Sequence, residues 1–133
     1  MYRLMTGICE FFKIGGSESI VLHGPNVETV FSVSLPVGML PDIKVQGQAK
    51  RLDDGDIIIM MSDGIRRSGI GTVRTDWLKK EIKMPFDTMD EMAQSVIENA
   101  VKKSRDAVID DMTVATLRLI KKLKRACRQN VDR

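Results

Sequence analysis

This chain of 133 residues is poor in histidine and cysteine, with one of the first and two of the second. Cys9 and Cys127 stand far apart, with neither a C-x-x-C pair nor zinc-ligand spacing. That argues against a disulfide framework or a structural zinc site and fits a reduced, cytoplasmic setting. His23 lies in the turn cluster His23-Gly24-Pro25-Asn26 without a second histidine, so it reads as a surface turn residue rather than a catalytic or zinc-binding one. No apolar run approaches the ~18 residues of a membrane span, and the N-terminus lacks the basic-then-apolar order of a signal peptide. Ser62 has no G-x-S-x-G context and no evident base, which argues against a serine nucleophile. Gly15-Gly16 is not followed by a helical pattern, as a phosphate loop requires, and Asp53-Asp54-Gly55 lacks the order of a calcium loop.

What is present is the composition of one soluble globular domain, 43% hydrophobic and 29% charged, without a signature of disorder. The net charge of +3 belongs to the end of the chain. There Lys121, Lys122, Lys124, Arg125, Arg128 and Arg133 face only Asp132, and the remainder is net acidic. With no aromatics interleaved, this basic tail, residues 121–133, reads as a solvated helix face and not as a nucleic-acid surface. The methionines read as core filler.

Alternation marks strands over Ile8 to Ile14, Ser19 to Leu22, Val27 to Leu35 and Ile43 to Lys50, the first three forming a β-meander. Leu35 to Pro41, with two prolines and a glycine, is a turn. Asp53-Asp54-Gly55 is a hairpin turn leading into Ile57-Ile58-Ile59-Met60-Met61. That run has no polar face and predicts a strand buried on both sides. A helix is expected over Asp76 to Met84, stopped by Pro85. A longer one follows, with Asp87 as its N-cap and Met89, Met92, Ala93, Val96, Ile97, Ala100 and Val101 on its core face. Thr113 to Ile120 is a last strand with Ala115, Leu117 and Leu119 on one face. Strands followed by helices and one more strand point to an α+β fold, a β-sandwich with segregated helices.

Carboxylates where a buried strand meets a loop are natural ligands for a hard cation such as Mg²⁺ or Mn²⁺. Asp63, followed by Gly64, ends the apolar run, and Asp110-Asp111 precedes the last strand. On spacing alone Asp63-Gly64 is more simply a turn and Asp110-Asp111 a helix-to-strand connection, since Asp and Gly are ordinary turn residues.

Gly55-Asp56-x5-Ser62-Asp63-Gly64-Ile65 resembles the Gly-Asp…Ser-Asp-Gly motif of the PPM-type, metal-dependent serine/threonine phosphatases. Asp110-Asp111-Met112-Thr113-Val114 resembles their C-terminal Asp-Asp/Asn-x-Thr motif. Phe12 to Ser19 and Leu35 to Leu40 resemble segments of the stage II sporulation protein E branch, whose members dephosphorylate an anti-sigma-factor antagonist. The resemblance runs from about Thr6 to Ile120, and Gly16-Ser17-Glu18-Ser19 departs from the small-small-Pro-Ser usual there.

The resemblance implies an αββα sandwich with two Mg²⁺ or Mn²⁺ ions at one end and attack on a phosphoserine or phosphothreonine by a metal-bound water. Asp63 and Asp110 would be ligands to one ion, with Gly64 and Asp111 behind them. Arg66, Arg67 and Arg74 are candidate contacts to the substrate phosphate. The family's N-terminal acidic residue that bridges both ions has no counterpart before Thr6. Residues 1–120 therefore read as the C-terminal portion of the catalytic domain, incomplete at the N-terminus, with at most one weak metal site. Three readings follow: a phosphatase portion acting on a phosphorylated anti-sigma-factor antagonist-like protein, a non-catalytic module that docks such a regulator, or a fold remnant. An uncovered sheet would also favour self-association.

Overall fold

The computed structural model describes residues 2–5, 7–31, 34–42, 45, 47–67, 76–104 and 111–121, without the side chains of 2–5, Arg66 and Arg67. Among the described residues seven strands and three helices follow in the order β1 (Tyr2–Met5), β2 (Ile8–Phe12), β3 (Ser19–His23), β4 (Asn26–Val30), β5 (Gly47–Arg51), β6 (Ile57–Met61), α1 (Asp63–Arg67), α2 (Asp76–Glu81), α3 (Met89–Lys103) and β7 (Val114–Arg118). The strands form two antiparallel sheets, one ordered β1-β2-β5 and the other β4-β3-β6-β7. The α+β class is therefore correct, and the topology differs from a meander. β1 pairs with β2 and β3 with β4 as hairpins, but β2 and β3 lie in different sheets. Likewise the Asp53 to Gly55 turn, closed by Asp56 N–H on the Asp53 carbonyl at 3.2 Å, joins β5 of one sheet to β6 of the other. Leu52, 1% exposed, drives that crossing because it is drawn into the apolar layer between the sheets.

Two apolar layers hold the molecule together. Cys9 and Phe11 of β2, Val21 of β3, Val30 of β4 and Leu52 fill the space between the sheets, with Ile58 and Leu119 packed against them. On the other face of the four-stranded sheet, Ile20, Leu22, Ile57 and Ile59 meet Ile65 of α1, Leu78 of α2 and Met92, Val96 and Ala100 of α3. β3 is thus the strand buried on both faces. In β6, Ile57 and Ile59 are buried under the helices, whereas Ile58 and Met60 on the opposite face are only half-buried. They line a groove of about 200 Å³ with Cys9, Leu52, Leu117 and Leu119. The expectation of a strand buried on both sides is therefore half correct. Burying an isoleucine side chain such as Ile59 is worth roughly 1.5–3 kcal/mol.

The helix N-cap is Thr88, not Asp87. The Thr88 hydroxyl accepts from Glu91 N–H at 3.2 Å and Glu91 Oε2 accepts from Thr88 N–H at 3.2 Å, a reciprocal capping box that an aspartate one residue earlier cannot form. Val101 is 42% exposed, so the buried stripe of α3 stops at Ala100, where Ser104 N–H closes the last turn. In β7 the inward face is Val114 and Thr116, and Thr116 Oγ1 donates to the Met89 carbonyl at 2.8 Å. Ala115 and Leu117 lie on the opposite face, towards the other sheet, where Leu117 stands opposite Ile58 and lines the groove with Leu119. Among the described residues no helix is long and apolar enough to cross a membrane.

Candidate functional site

β6 delivers its C-terminal end to the start of β7, because the two strands pair antiparallel with Met61 opposite Val114. Ser62 then locks the junction. Its N–H donates to the Thr113 carbonyl at 3.0 Å, its hydroxyl accepts from Thr113 N–H at 2.9 Å, and the same hydroxyl donates to the Asp111 carbonyl at 3.1 Å. A serine oxygen can accept and donate at once, which a purely apolar residue here cannot do. Ser62 is a clamp, in keeping with the argument against a serine nucleophile.

Gly64 completes the contact by absence. A Cβ on Gly64 would lie 2.4 Å from the Asp111 carbonyl oxygen and 3.2 Å from Met112 Cγ, so only glycine admits this approach. Asp63, between clamp and glycine, opens α1 with an exposed carboxylate. The structure therefore brings Asp63, Gly64 and Asp111 to one end of the sandwich. Asp110 and Arg74 lie outside the described residues, and Arg66 and Arg67 follow Asp63 within α1.

Two residues that the sequence did not single out complete this end. Ser17, in the β2–β3 loop, donates its hydroxyl to Asp63 Oδ1. Lys13 reaches the Ser17 carbonyl and, at 2.8 Å, Ser19 Oγ. Burial holds the Lys13 ammonium below the ordinary lysine pKa, with Glu18 opposing the shift. The only sequence signal was the resemblance of Phe12 to Ser19, which carried no residue roles.

His23 is not a free surface turn residue. It is half-buried, and its Nδ1 lies 2.7 Å from Oδ2 of the buried Asp56. A carboxylate oxygen only accepts, so Nδ1 carries the proton; Asp53 N–H donates to the same oxygen at 2.6 Å. This pair closes the ends of β3 and β6 opposite to Ser19 and Asp63, so it stabilises the fold away from the candidate site. Burial, and then the charge of Glu10, pushes the Cys9 thiol up.

The donors at the Asp63 end are hard oxygens, an exposed carboxylate beside a backbone carbonyl, and they suit Mg²⁺ or Mn²⁺ in kind. In number they are few. Among the described residues no group of three or more His, Cys, Asp or Glu side chains could hold a metal ion.

Comparison with known proteins identifies the family and the fold. The stage II sporulation protein E of Bacillus subtilis (strain 168) is 30% identical over 118 residues, 87% of this chain and 14% of that protein. A structure of the PP2C phosphatase domain with a fragment of the regulatory domain of the cell-fate determinant SpoIIE from Bacillus subtilis superposes with a TM-score of 0.76 at 28% identity. It covers 87% of this chain and 35% of that one. The Mn-presoaked phosphatase domain of the same determinant gives a TM-score of 0.75 at 26% identity, covering 92% of this chain and 56% of that one. The chain thus spans a small part of the relative's length and about half or less of these two solved chains. Its two sheets and helices are those of a PP2C phosphatase domain. The family model of stage II sporulation protein E matches residues 1–120, and the chain belongs to that family.

Proposed function

We propose that this chain contributes the Asp63/Asp110 half of a metal-dependent phosphoserine or phosphothreonine phosphatase centre. The observation that carries the reading is the meeting of Ser62-Asp63-Gly64 with the Asp111 carbonyl, which joins two acidic segments far apart in sequence at one strand end. Asp63 would hold a divalent cation through its exposed carboxylate, and Asp110, which precedes Asp111 in the sequence, would supply the second carboxylate. Mg²⁺ or Mn²⁺ bound there would supply Lewis acidity that activates water and offsets negative charge on the phosphoryl oxygens. Arg66, Arg67 and Arg74 are the candidate contacts to the substrate phosphate, an anion that a guanidinium can bind through two parallel hydrogen bonds. The substrate is a phosphorylated protein of the anti-sigma-factor-antagonist type, in keeping with the family.

Two carboxylates cannot furnish the roughly six oxygen ligands that each ion prefers. The chain by itself is therefore expected to bind Mn²⁺ weakly and to hydrolyse an aryl phosphate slowly or not at all. The test is Mn²⁺ titration of the ¹⁵N-labelled chain, read as paramagnetic broadening of its amide resonances. Broadening should centre on Asp63 and Gly64 and vanish in Asp63→Asn. Equal broadening in that variant would sink the reading of Asp63 as a ligand. Brisk Mn²⁺-dependent turnover by this chain would overturn the expectation of a partial centre.

A further inference from the structure

One oxygen of the Asp63 carboxylate is already engaged, since Ser17 Oγ donates to Oδ1. The loop that presents Ser17 is fixed at several points. Lys13 Nζ donates to the Ser17 carbonyl and to Ser19 Oγ, the latter at 2.8 Å, and Ser19 is the buried first residue of β3. Upstream, Gly15 N–H donates to the Ser34 carbonyl at 3.1 Å. Gly15 has φ +58°, and a Cβ there would lie 2.8 Å from Pro36 Cα. Only a residue without a side chain allows that approach, so the backbone leading to Ser17 has little freedom.

The terminal torsion of an aspartate is soft. A hydrogen bond to one oxygen fixes the plane of the carboxylate and leaves the other oxygen to face a cation. Outer donors of this sort orient a metal ligand without touching the metal. We propose that Ser17 is a positioning residue for Asp63, aiming its carboxylate at the divalent ion, so that the β2–β3 loop is part of the metal site. This rests on the reading of Asp63 as a ligand.

The experiment compares Mn²⁺ broadening of the Gly64 amide in the ¹⁵N-labelled full chain and in Ser17→Ala and Ser17→Thr. Ser17→Ala should need about tenfold more Mn²⁺ for the same broadening, within the usual range for loss of such a partner. Ser17→Thr keeps the hydroxyl and should titrate as the parent does. The metal-free spectra report whether each variant is folded. If Ser17→Ala is not, Ser17→Cys, with a poor donor of similar size, takes its place with the same expectation. Identical titration of Ser17→Ala and the parent overturns the proposal and leaves Asp63 as a ligand. Equal loss in Ser17→Thr overturns it too, since packing and not the hydroxyl would then be responsible. No broadening at Gly64 in the parent overturns both the proposal and the reading beneath it.

Discussion

Gly64 and Asp111 approach so closely that a methyl group on the glycine would stand 2.4 Å from the aspartate carbonyl oxygen. This contact joins the exit of β6 to the entry of β7, and backbone on one side of it has no cheap way to yield. Gly64→Ala should therefore destabilise the chain by about 1–3 kcal/mol, the usual cost of overpacking. Urea denaturation measures it, and an unchanged midpoint would mean that the Asp111 segment gives way freely.

Ser62 holds the same junction by hydrogen bonds instead of by shape. Ser62→Ala leaves Thr113 N–H and the Asp111 carbonyl without their side-chain partner, at a cost of roughly 0.5–1.5 kcal/mol per bond lost. Amide exchange gives the sharper readout. Thr113 N–H should exchange much faster in the variant, while Ala100, buried on α3, should follow only the change in global stability.

The cap of α3 separates two adjacent residues. Thr88→Ala removes the acceptor for Glu91 N–H and should cost about 1 kcal/mol. Asp87→Ala leaves both arms of the capping box in place and should cost markedly less. A larger loss for Asp87→Ala in thermal unfolding would return the cap to the aspartate.

Acid should weaken one surface tie. The hydrogen bond from Lys121, and then its charge, hold the Asp53 carboxyl below its ordinary pKa. A carboxylate depressed in the folded state contributes stability above its unfolded value and loses it as the pH falls through the folded one. The pair is exposed, so the effect is small and salt-screened. The stability difference between the parent and Asp53→Asn should be present at neutral pH, fade below the ordinary aspartate range and shrink in high salt. A difference that ignored pH would assign it to something other than this pair.

How much of the site was legible varies residue by residue. Asp63 and Gly64 stood out because an uninterrupted apolar run ended on them, and runs, caps and turns are local patterns that a sequence displays directly. Ser17 did not, because its partner is 46 residues away and a serine in a glycine-rich loop has no pattern of its own. His23 looked like a turn residue for the same reason, since Asp56 is 33 residues further on.

The sequence alone determined the α+β class, the approximate positions of β2 to β7 and of the two longer helices, and the candidate acidic ends, since periodicity and chain-breaking residues act over a few positions. Only the tertiary structure decided that β2 and β3, and β5 and β6, belong to different sheets. Local alternation says which side chains share a face but not which strand lies alongside. That choice falls to the burial of Phe11, Val21, Val30 and Leu52 between the sheets, and to a glycine that lets Asp111 draw up against Asp63's neighbour.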